Sequence, residues 1–158
     1  MSVVDTSNLV TRDPLIQGFA FEELEVGMTA YVSKTMTQHD AYTFAGITGD
    51  FNPAHVNEEV AKQMGLPGRI CHGALTAGLV STALGTRMPG AGCLYMSQKS
   101  TFTHIVEFGD TLTCKITVLE KIEEKERVIF KTEVFNQRDE LVLTGEAKLK
   151  VPKKEHHL

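Results

Sequence analysis

An aspartate and a histidine stand five residues apart in Gly49-Asp50-Phe51-Asn52-Pro53-Ala54-His55, a stretch containing two residues that break regular structure. Catalytic groups concentrate on such connections when rigid elements hold them. Across a turn, Asp50 and His55 can face a common point, as an acid–base pair sharing one water must. The same residue types also serve a purely architectural end, since Asp50 and Asn52 can satisfy their own backbone as Asx turns. The segment by itself leaves both readings open.

Cys71-His72-Gly73 adds a third chemical element, because it lies directly ahead of a strongly apolar stretch. A helix start leaves N–H groups unpaired and carries positive partial charge, so it can bind an oxyanion. Gly73 would let a carbonyl approach that backbone with no side chain in the way. An acid–base pair plus such a donor is the equipment needed to add water to an α,β-unsaturated thioester. One group takes a proton from water, one protonates Cα, and the N–H holds charge on the thioester oxygen.

The elements that must position these groups show in the periodicity. A strand is expected over residues 28–35. Thr37 followed by Asp40 opens a helix with a capping-box pattern, carrying Ala41, Phe44, Ala45 and Ile47 at helical spacing and ending near Gly49. A short helix should run from a cap at Asn57 to about Met64, with Gly65 as its left-handed stop. From Ala74 to Arg87 the apolar residues surround only small polar ones, which predicts a helix buried all round. Alternation then takes over around Leu112, Val128 and Leu141, with a further strand over residues 94–102. The links at Gly109-Asp110, Glu123 to Glu126 and Gln137 to Glu140 read as short antiparallel hairpins. The sum is an α+β fold in which an antiparallel sheet of about five strands wraps one central helix. Residues 1–20 are expected to form an arm, 21–151 the domain and 152–158 a solvated tail.

Composition excludes several classes. A net charge of -4 argues against a nucleic-acid partner, and no apolar run is long enough for a membrane helix. The N-terminal stretch lacks the basic start and apolar block of a secretory signal, so a cytoplasmic location is expected. Cys71, Cys93 and Cys114 are odd in number and widely spaced, hence buried free thiols. No cofactor is expected: the chain has no metal motif of the His-Glu-x-x-His kind, no paired cysteines and no Gly-x-Gly-x-x-Gly. His156 and His157 are read as an exposed end.

The turn Gly49-Asp50-x-Asn52-Pro53-x-His55 and the later His72-Gly73 resemble the hydratase 2 motif of the MaoC-like hot-dog family. The (R)-specific enoyl-CoA hydratases are the members it is most similar to. The similarity extends over residues 24–151 and includes Met88-Pro89-Gly90, Phe108-Gly109-Asp110 and Leu143-Thr144-Gly145-Glu146-Ala147.

The resemblance implies a hot-dog fold, two subunits pairing their sheets as a homodimer, and reversible hydration of a trans-2-enoyl-CoA. It assigns Asp50 and His55 as the catalytic dyad and Gly73 as donor to the thioester oxygen. Ser81 would lie near the dyad and the acyl pocket, and Leu84 would form a pocket wall. Asn52 is a motif residue with a mainly structural task. His72 either touches substrate or packs to fix the helix start. The alternative substrate is a 3-hydroxyacyl chain on an acyl carrier protein, for which Lys62, Arg69, Arg87 and Lys99 are candidate rim cations. A hot-dog thioesterase and a non-catalytic acyl-CoA-binding module are the readings from other classes.

Overall fold

The computed structural model describes residue 13 and residues 15–156. Most of the expected arm, and His157, lie outside the described residues. In chain order the elements are β1 (Thr29–Thr35), α1 (Gln38–Thr48), α2 (Pro53–Val56), α3 (Glu58–Gln63), α4 (Gly73–Thr86), β2 (Leu94–Phe102), β3 (Thr111–Ile122), β4 (Arg127–Phe135) and β5 (Leu141–Lys150). The strands form one antiparallel sheet in the order β1-β3-β4-β5-β2, and α4 packs against it, touching β1, β2 and β3. This is the hot-dog arrangement expected.

The core is built by the alternation. Leu112, Cys114, Ile116 and Val118 of β3 and Val128, Phe130, Thr132 and Val134 of β4 are all buried. On β5 the alternation breaks. A bulge between Val134 and Phe135 shifts the register, so that Val142 and Leu143 are both buried while Leu141 is only half-buried.

Three expectations need correction. Gly109-Asp110 is not a hairpin, because β2 and β3 are not neighbours in the sheet. Residues 103–110 instead carry the chain across from the β2 edge to β3. Gly109 takes a left-handed φ of 97° there, its N–H donates to the Met36 carbonyl at 2.7 Å, and the Met36 N–H donates to Asp110 at 2.8 Å.

The second correction concerns α4, which is buried on one side only. Leu79, Val80, Ala83 and Leu84 face the core, whereas Ala74, Gly78, Ser81, Thr82 and Gly85 are exposed in the single chain. The large residues and the small ones segregate onto opposite faces. Burying each Leu or Val contributes roughly 1.5–3 kcal/mol.

The third concerns the ends. Phe19 and Ala20 are buried with the domain rather than lying on an arm, and the Phe19 N–H donates to the Pro89 carbonyl at 2.7 Å. At the other end Val151, the last residue expected in the domain, is fully buried as a domain residue should be.

Candidate active site

Local signals build the first half of the site. Thr37 and Asp40 form a reciprocal capping box, with the Asp40 N–H donating to Thr37 Oγ1 at 3.2 Å and the Thr37 N–H to Asp40 Oδ2 at 2.9 Å. Ala41 and Ala45 seat α1 on the domain, while Ile47, read as part of the same apolar face, is exposed. Gly49 ends the helix with a φ of 80°.

The chain does not then run as a plain turn. The Asn52 side chain accepts the Ala54 N–H at 3.1 Å and caps the single-turn helix α2, with Pro53 in its first position. His55 is therefore held on a helical turn. The two readings of the motif coexist. Asp50 Oδ1 accepts the Asn52 N–H at 3.2 Å as an Asx turn, and the carboxylate remains half exposed.

The second half arrives from residues 70–73. His55 Nδ1 lies 2.9 Å from the Ile70 carbonyl, which can only accept, so Nδ1 carries the proton and Nε2 of the neutral ring is a base. By the same logic His72 Nε2 donates to the Asp50 carbonyl at 3.0 Å. The rings of His55 and His72 stack, with centroids 3.7 Å apart and planes 27° apart, and Phe44 packs on His72 at 4.9 Å. One oxygen of Asp50 and one ring nitrogen each from His55 and His72 lie within 4.8 Å of one another. A span of this length can be closed by a single water with hydrogen bonds of about 2.8 Å.

Backbone bonds fix the approach. The Ile70 N–H donates to Ala54 at 3.0 Å and the Cys71 N–H to Val106 at 2.7 Å, which pins this segment between α2 and the crossover.

Gly73 is the first residue of α4, and no side chain caps that helix, so the helix start is open to a ligand oxygen. A Cβ on Gly73 would sit 3.2 Å from the Phe102 ring. Beside it opens a cavity of about 170 Å³, lined by Ile70, Thr76, Phe102, Ile105, Val106 and Val142 among others.

The remaining expected site residues are placed differently. His72 is 1% exposed, a packed residue at the start of α4. Ser81 lies on the exposed face of α4 and makes no hydrogen bond to the trio among the described residues. Leu84 is in the core and does not line the cavity at Gly73.

Two of the four candidate rim cations are committed elsewhere. Lys62 pairs with Glu58 at 3.1 Å, and Arg69 bonds Glu58, Tyr42 and Gln38. The Glu58–Arg69 tie and the Ile70 carbonyl carry no local pattern by which the sequence could show them. In the sequence Phe44 shows only as a helix-face residue.

The trio carries metal-ligating atom types. However, rings stacked with planes 27° apart cannot both aim in-plane lone pairs at one ion about 2 Å away. The donor set fits hydrogen bonding to water.

Residues 22–138 match the family model described as MaoC like domain. The chain is 44% identical to the 3-hydroxybutyryl-CoA dehydratase of Methylorubrum extorquens over 142 residues, covering 90% of each. It is 41% identical to the (R)-specific enoyl-CoA hydratase of Rhodospirillum rubrum, covering 90% of this chain and 98% of that one. Among solved structures, the R-hydratase PhaJ1 from Pseudomonas aeruginosa superposes with a TM-score of 0.82 at 38% identity, covering 87% of this chain and 88% of that one. No helix among the described residues is long and apolar enough to cross a membrane.

Proposed function

Since the chain belongs to the MaoC-like domain family, we propose that it is a hydro-lyase that adds water reversibly to trans-2-enoyl-CoA, giving the (R)-3-hydroxyacyl-CoA. The observation that carries this is the Asp50 carboxylate and a His55 ring nitrogen within 4.8 Å of each other, beside an uncapped helix start at Gly73. Water lies between the two side chains. His55 Nε2 takes its proton, and the imidazolium is held by the Nδ1–H bond to Ile70. The water oxygen bonds to C3 as the C2=C3 double bond breaks. Charge moves to the thioester oxygen at the Gly73 N–H. The dyad then returns a proton to C2 on the same face, so addition is syn. CoA is favoured over a carrier protein because both relatives quoted are named for CoA esters.

The working unit of this reading is a homodimer. Strand β2 ends the sheet and is exposed along almost its whole length, with Leu94, Tyr95, Met96 and Phe102 uncovered. An open, apolar edge must be paired or covered. A second copy laid on β2 and on the small-residue face of α4 would cover both. The three free thiols support a reducing, cytoplasmic setting.

Loss of enoyl absorbance with crotonyl-CoA, compared with its carrier-bound analogue, tests the reading. Faster turnover of the carrier-bound form would move the substrate assignment. Release of free CoA with the double bond intact would replace hydration by thioester hydrolysis.

A further inference from the structure

We propose that His72 is a positioning residue that fixes Asp50, His55 and the Gly73 N–H relative to one another without touching substrate. Its kinetic consequence rests on the hydration reading above, whereas the geometry stands without it. The ring is 1% exposed. Its Nδ1 is buried with no hydrogen-bond partner. An unpaired buried nitrogen costs stability, and an apolar ring would fill the same space without that cost. The contact an apolar ring could not make is Nε2–H to the Asp50 carbonyl.

Asp50 depends on that bond. Its other hydrogen bonds run to Thr48 and Asn52, each two residues away. The His72 bond spans 22 residues and, among the described residues, is the one that ties Asp50 to a distant part of the chain. The face of the same ring stacks on His55 at 3.7 Å. The next residue along the backbone is Gly73, so the base, the carboxylate and the oxyanion donor are all referred to one side chain. Its role is exerted through the dyad, so its loss should appear in kcat.

The test compares His72→Gln, His72→Phe and His72→Asn. Glutamine carries its amide nitrogen the same number of bonds from Cα as His72 Nε2, and so keeps the donor. Phenylalanine keeps the stack and loses the donor, and asparagine is too short to reach. On crotonyl-CoA, His72→Gln should keep kcat within about tenfold of wild type. His72→Phe should lose about 100-fold, as displaced catalytic groups do. KM should change less than about twofold in both. His72→Phe should nevertheless melt no lower than His72→Gln, so activity and stability rank oppositely. Equal kcat for the two, kcat that follows melting temperature, or a loss confined to KM would each overturn the proposal. If His72→Phe does not fold, His72→Asn must fall at least about tenfold below His72→Gln per folded molecule, and equality would overturn it. A wild type inactive on crotonyl-CoA would sink the function alone. Long-range 1H–15N NMR of the wild type then still decides the geometry: an Nε2–H tautomer at His72 supports it, and an Nδ1–H tautomer overturns it.

Discussion

In the proposed reaction Asp50 and His55 serve one water by different means, and substitutions should expose the difference. Asp50 offers one oxygen while the other is spent on its Asx turn, so Asp50→Asn removes charge and leaves the turn able to form. His55→Gln removes the basic ring nitrogen. Each should lower kcat by about 10² to 10⁴-fold with modest change in KM, because groups that move protons act in the transition state. The double variant should be scarcely worse than the poorer single one, since both serve one water. Steady-state kinetics on crotonyl-CoA, with circular dichroism to establish folding, checks this. A single variant with near-wild-type kcat would remove the dyad. The cysteines give a second residue-scale test. Burial pushes the Cys71 thiol up to about 12, helped by the Asp110 and Asp40 carboxylates, and burial alone does the same for Cys114. At pH 8 neither should react with iodoacetamide until the protein is unfolded. Rapid alkylation of the native protein at either position, read by mass spectrometry, would contradict the packing.

Helix α1 stands or falls with its cap, and the cap has a pH signature. Burial raises the Asp40 carboxyl, but hydrogen bonds from the Thr37 side chain, Lys34 and the Thr37 backbone outweigh it, and the folded value falls from 3.8 to about 2. A group held lower in the folded state stabilises above its unfolded value and loses that contribution as pH falls through the folded one. Asp40→Asn should therefore cost about 1 kcal/mol at pH 7, and the gap to wild type should close between about pH 4 and pH 2. Urea melts across that range measure it, and a gap independent of pH would mean that the carboxylate charge contributes nothing. Helix α4 carries a different prediction. As a pocket wall, Leu84 would tune chain length when shortened. As the core residue it is, Leu84→Ala should cost about 2–5 kcal/mol and lower the melting temperature. A stable variant with improved turnover of longer enoyl chains would restore the pocket-wall role.

At the scale of the whole molecule, the exposed edge strand is the feature that a single chain leaves unaccounted for. Light scattering should give twice the 17.4 kDa chain mass. Met96→Lys places a charge on the exposed β2 edge and should shift the protein toward monomer, as charged edges do in sheets that stay unpaired. A stable, fully active monomer of the unmodified protein would rule out the shared sheet.

Much of this protein could be read before any coordinate was known, and the reason is that those parts are local. The capping box at Thr37 and Asp40, the left-handed stops at Gly49 and Gly65, and the alternation of β3 and β4 involve residues within a few positions of one another. Short-range backbone geometry decides them. The proximity of Asp50 and His55 was legible because the two share one short segment. The tertiary structure decided what depends on pairing distant segments. A strand's period says which residues face inward but not which strand lies beside it, so Gly109-Asp110 passed for a hairpin when it ends a crossover. Composition made α4 look buried all round, but only packing shows that its small residues face outward. His72-Gly73 stands out in the sequence, but the bonding partners of His72 and of the Ile70 carbonyl have no sequence pattern. A carbonyl 15 residues from His55 and an imidazole 22 residues from Asp50 become partners only when the chain folds back on itself.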